Sequence, residues 1–155
     1  MKKLISIVIA AALLVISAGA WAQSQGVVVK QSAFSVAETL NRLEAVFKRR
    51  GFQVFARIDH AAAAESIERE LPPAEVLIFG NPKIATPLMQ SNVVAGLDLP
   101  MKALAYRDDA GKVFLVYNHP AYLSRRHGIK DRKKFVEAVS RILTNLTDQA
   151  VKNSQ

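Results

Sequence analysis

Apolar residues along the chain alternate between two periods, and the changes of period mark out its elements. Val36, Leu40, Leu43 and Phe47 recur at i, i+4, i+7 and i+11, the spacing of one face of an amphipathic helix. Ser35 followed by Glu38 predicts a capping box at its start. Glu38–Arg42 and Glu44–Lys48 are i,i+4 pairs of helpful polarity. Lys48, Arg49 and Arg50 complement the negative end of the dipole, and Gly51 stops the helix. On either side the pattern is that of strands: residues 26–30, GVVVK, are rich in β-branched side chains, and residues 52–58, FQVFARI, alternate apolar and polar.

Asp59 predicts an N-cap for a helix running through residues 61–64 to Glu70, anchored by Ile67 and Leu71 and ended by Pro72 and Pro73. Residues 74–79 are the most apolar strand. They open onto residues 79–100, which hold three of the six prolines and two of the seven glycines, with Lys83 and Asp98 the only charges. Such a stretch suits a rigid corner or a neutral ligand pocket. Asn81-Pro82 is a cap followed by a first-turn proline, and Pro87 predicts a kink or a restart. Residues 92–100 read as a connection turning at Gly96. Residues 101–107 and 112–118 read as interior strands joined through Asp108, Asp109, Ala110 and Gly111 in a hairpin. Residues 119–127 form a short helix or ordered loop. A last helix starts near Asp131 with Phe135, Val139, Ile142 and Leu146 on one stripe. The fold expected is α+β: a two-layer arrangement of a mainly antiparallel sheet of about five strands, with the long helices packed on it.

The first residues stand apart from this pattern. A basic head, an apolar run from Leu4 to Ile16 and small residues around Trp21 predict a secretory leader over residues 1–22, cleaved after Ala22. Residues 23–155 then form a single domain, periplasmic or secreted. No other stretch is long and apolar enough to span a bilayer. Loss of Lys2 and Lys3 lowers the formal charge only from +8 to +6. The absence of cysteine excludes thiol chemistry, iron–sulfur clusters and c-type haem attachment.

Several ordered segments share one likeness. Asp59-His60, Leu71-Pro72-Pro73, FGNPKIATPLMQ, GLDLP and YNHPAYL together resemble the bacterial and archaeal domain-of-unknown-function family 302, from about residue 35 to about residue 146. The resemblance implies a small two-layer α+β domain able to form a homodimer, and it implies no activity. The positions that match are Asp59, His60, Gly80, Asn81, Pro82, Thr86, Pro87, Leu99, Pro100, Tyr117, Asn118, Pro120 and Tyr122. His119 departs from the family, where an acidic residue is frequent, so no metal or acid–base scheme carries over to it.

The chemistry that these residues offer is sparse. His60 is a candidate ligand contact or general base, without an evident nucleophile to serve. His60, His119 and His127 lack zinc-type spacing and read as separate surface histidines, so neither a metal nor a cofactor is expected. Asn81, Lys83, Thr86, Asn118 and Tyr122 are candidate contacts to a small neutral or anionic ligand. The basic run 125–134 would suit an anionic partner, while the leader argues against nucleic acid. The resulting expectation is an exported binding or interaction module, dimeric and without evident catalysis, using the Asn81–Thr86 corner and the Asn118–Tyr122 turn as one pocket or dimer surface. Two alternatives stand beside it: a small hydrolase or isomerase with His60 as base, and a structural or envelope-stress protein.

Overall fold

The computed structural model describes residues 26–153, so the expected leader lies outside the described residues. Five strands form one sheet: β1 Val27–Ser32, β2 Gln53–Asp59, β3 Ala74–Gly80, β4 Met101–Arg107 and β5 Val113–Asn118. Their order is β1-β5-β4-β3-β2, and every neighbouring pair is antiparallel. From β2 onward each strand pairs with the next, while α1 (Val36–Arg49) carries the chain between the two edge strands. The expected α+β class and antiparallel sheet are therefore what the chain adopts, with β4 and β5 in interior positions.

The core lies on the face covered by α1 and α5 (Lys133–Val151). Leu40, Leu43 and Phe47 from α1 and Leu143, Leu146 and Ala150 from α5 meet Leu77, Phe79, Leu115 and Tyr117 of the sheet. Ala103 and Ala105 on β4 are fully buried; their small side chains leave room for the helices. Phe47 stacks on Phe79 at 4.2 Å and on Phe52 at 5.0 Å between ring centroids, a favourable offset arrangement beyond its area burial.

Local chemistry fixes the ends of α1. The Ser35 hydroxyl accepts a bond from the Glu38 amide at 3.2 Å. The Glu44–Lys48 pair forms at 2.6 Å. The expected Glu38–Arg42 pair does not, because Arg42 is drawn to the end of α5. There it donates to the carbonyls of Gln149, Ala150 and Lys152 and lies over the Phe34 ring.

Three elements depart from the sequence expectation. Helix α2 spans only His60–Glu65. Ser66 turns back to bond the Ala63 carbonyl, and Glu68 takes a positive φ of 56°, so Ile67 and Leu71 are exposed rather than anchoring. Helix α3 (Pro82–Ser91) runs through Pro87 without restarting. In α5 the buried stripe is Val136, Val139, Leu143, Leu146 and Ala150, leaving Ile142 44% exposed. Packing against α1 rotates the helix slightly from the face that its most apolar stripe suggested.

The buried Tyr117 hydroxyl has no hydrogen-bond partner among the described residues. Burying an unsatisfied polar atom costs about 1–3 kcal/mol. Tyr117→Phe is therefore expected to raise the unfolding free energy by about 1 kcal/mol in urea titration; a loss of that size would show the hydroxyl to be satisfied.

Candidate functional site

At the end of β3 the chain turns through Gly80 and Asn81 into α3. Asn81 holds both sides of this turn: its Oδ1 accepts from the Lys83 amide at 2.9 Å and its Nδ2 donates to the Gly51 carbonyl at 3.1 Å. Pro82 occupies the first helical position, where no amide hydrogen is needed. After α3 a 3₁₀ segment, Val93–Asp98, is capped by Asn92, whose Nδ2 reaches the His127 carbonyl at 2.8 Å. Asp98 lies 2.6 Å from the His127 ring and 3.2 Å from Arg126. These bonds tie the 3₁₀ segment to the end of α4 (Pro120–Arg126). Leu88, Ala95, Ile129 and Val136 form a second small core beneath them.

Between α3 and the ends of β3 and β4 lies a cavity of about 270 Å³. Its walls are largely apolar: Phe52, Phe55 and Phe79 on the sheet side, and Ile84, Met89 and Pro100 around them. Phe55 arrives there through a bulge in β2. Val54 pairs with Phe79 and Ala56 with Ile78, so Phe55 is the extra, unpaired residue. A β-carbon at Gly80 would sit 3.2 Å from the Phe55 ring and 3.4 Å from Pro100, so glycine allows the ring its close approach. Thr86 stands exposed at the same cavity, and no bond engages its hydroxyl among the described residues.

The residues singled out from sequence are thus distributed unevenly. Asn81 and Thr86 line the cavity, and Asn81 is already committed to structural bonds. Lys83 lines an adjoining groove instead. Asn118 is exposed at the end of β5, opposite Val27, and Tyr122 packs its ring over Gly26; neither lines the cavity. His60 is exposed at the far end of the sheet. Gln53 of β2 pairs with Gly80 beside the cavity, while Asp59 pairs with Glu75, so about 20 Å of strand separates His60 from it. Sequence reasoning did not single out Phe55, because a bulge leaves no mark in an alternating pattern.

The histidines act separately, and among the described residues no three His, Asp or Glu side chains converge. His127 is buried, not on the surface as expected from sequence. His119 caps α4, its Nδ1 accepting from the Ala121 amide at 3.1 Å. Burial, with a smaller contribution from Arg125, pushes the His119 imidazole below its ordinary 6.5.

Two outcomes follow from this geometry. Asn81→Ala removes the cap and the tie to Gly51, and should lower stability by about 1–2 kcal/mol in urea titration. For His119, the folded state favours the neutral ring. Its contribution to stability is present above pH 6.5 and is lost as the pH falls through the lowered folded value. His119→Asn keeps a capping acceptor without that titration. The variant should therefore lose less melting temperature than the unmodified protein between about pH 7.5 and about pH 5; equal losses would remove His119 as the cause.

Comparison with known proteins places this architecture. The chain is 49% identical over 104 residues to the fluoride-specific ion channel FluC 1 of Brucella suis biovar 1 (strain 1330), a match covering 67% of this chain and 41% of that protein. It is equally similar to FluC 1 of Brucella abortus biovar 1 (strain 9-941), covering 38% of it. The chain thus spans about two fifths of the length of the curated relatives it matches. The crystal structure of an uncharacterized conserved DUF302 protein from Bacillus stearothermophilus superposes with a TM-score of 0.74 at 20% identity, over 82% of this chain and 99% of that one. The model of the family described as "Domain of unknown function DUF302" matches residues 28–150, and the chain belongs to that family.

Proposed function

We propose that this chain is an exported binding domain without catalysis of its own, and that it takes a small apolar ligand in the cavity beside α3. One observation carries the reading: the cavity is walled by aromatic and aliphatic side chains, with the unengaged Thr86 hydroxyl as a polar contact. Ligand sites combine an apolar lining with few placed polar groups, and about 270 Å³ lies just below their usual range of about 300–1,000 Å³. His60 supports this reading over a hydrolase or isomerase. It is exposed, about a strand's length from the cavity, and no hydrogen bond positions it among the described residues.

The exported form in this proposal begins after Ala22 and works as a homodimer. The support for the dimer is a row of apolar side chains crossing all five strands: Val29, Val116, Leu104, Val76 and Ile58 stand in register. By strand alternation they face away from the buried Leu77, Ala103 and Leu115. Its outer members Val29 and Ile58 are 48% and 42% exposed. No member of the row carries a charge.

The relation to fluoride channels favours a supporting role rather than conduction. The matched length exceeds what the residues outside the described part could supply. No helix among the described residues is long and apolar enough to cross a membrane. We read the shared segment as a domain that accompanies the conducting part in those channels.

Thr86→Trp places a large ring at the cavity. It should weaken binding of the apolar fluorescent probe N-phenylnaphthylamine at least about tenfold without changing the circular dichroism spectrum. Unchanged probe affinity would reject the cavity as the site. Val29→Glu should convert the dimer to a monomer in sedimentation velocity; a monomeric unmodified protein would reject the dimer.

A further inference from the structure

We propose that the cavity and the groove beside it together form one site for an amphipathic anion, a carboxylate or phosphate borne on a short apolar chain. The inference rests on the cavity reading above and names the ligand class. Phe52, Asn81 and Ile84 line the apolar cavity, and the same three residues line an open groove of about 770 Å³ between α3 and α5. A single ridge of side chains therefore has an apolar chamber on one side and an open groove on the other.

The groove supplies what the cavity lacks. Arg50, which follows α1, and Lys83, in the first turn of α3, both line it. Both are exposed, and neither side chain has a hydrogen-bond or ion-pair partner among the described residues. Elsewhere in the fold Lys30 is bound to Asp148, Arg57 to Glu75 and Arg126 to Asp98; what sets Arg50 and Lys83 apart from other unpaired surface cations is that both line this groove. Among the described lining residues Asp148 is the one carboxylate, and it already holds Lys30 at 2.8 Å and Lys152 at 3.7 Å. The groove thus presents two uncompensated positive charges, and an anion is the complementary occupant.

Neither half specifies this ligand alone. Two exposed cations would accept any anion, and an apolar chamber would accept any small hydrocarbon. The shared ridge brings the two demands within reach of one small molecule, whose chain fills the space among Phe55, Phe79 and Met89 while its head lies over Ile84 toward Arg50 and Lys83. Ile142, left exposed by the rotation of α5, lines the groove with Phe135 and gives the methylenes next to the head an apolar surface.

The test is competition against N-phenylnaphthylamine on the full chain, with octanoate, octyl phosphate and octanol as equal-length competitors and acetate as a head without a tail. Octanoate or octyl phosphate should bind at least about tenfold more tightly than octanol at low salt, and the preference should shrink as salt rises. The stronger of the two identifies the head group. The R50Q/K83Q double variant changes exposed side chains only. It should bring both anions to within about twofold of octanol while leaving octanol affinity and probe binding unchanged. Equal binding of octanol and the anions, an undiminished preference in the variant, or acetate matching octanoate would each overturn the assignment and leave the apolar cavity standing. Failure of the probe and all the octyl compounds to bind would overturn the cavity reading with it.

Discussion

The cluster of Phe47, Phe52 and Phe79, three rings in mutual contact with Phe79 stacked on Phe47, is the contact on which the rest of this molecule depends. It fastens α1 to β3 near the end of that strand, with ring centroids 4.2 Å apart. Because β3 ends one residue later, it also fixes where Gly80 releases the chain into α3. Phe52 and Phe79 belong to the core and to the cavity wall at once. The packing that stabilises the domain therefore also gives the cavity its rigid side, which lets a small chamber hold its shape.

Around that stack, several polar side chains serve construction. Asn81 and Asn92 each satisfy a helix start and a distant carbonyl, and Asp98 joins the 3₁₀ segment to His127 and Arg126. A backbone turn buried without such partners would cost free energy comparable to a lost hydrogen bond. The dense use of asparagine and proline between residues 79 and 100 is explained by that demand. Thr86 at the cavity and Arg50 and Lys83 at the groove are left out of this construction, and they differ from other unpaired surface groups in lining these two spaces.

Membership of the DUF302 family and the likeness to a Bacillus stearothermophilus protein establish the architecture, and architecture alone does not assign activity. The relation to channel proteins adds that this kind of segment occurs within larger chains.

The sequence by itself determined what short-range chemistry controls. The capped start of α1, the Asn81-Pro82 entry to α3 and the hairpin at Asp108 to Gly111, with its positive φ at Gly111, are each fixed by a few adjacent residues acting on their own backbone. Tertiary structure alone decided the rest. The bulge that turns Phe55 into the cavity arises from pairing with β3. The separation of His60 from Asn81 follows from antiparallel register, and the exposure of Ile142 follows from how α5 seats on α1. Each depends on contacts between segments far apart in the chain, whose register is set by the collective fit of a packed core, and no local pattern encodes that fit.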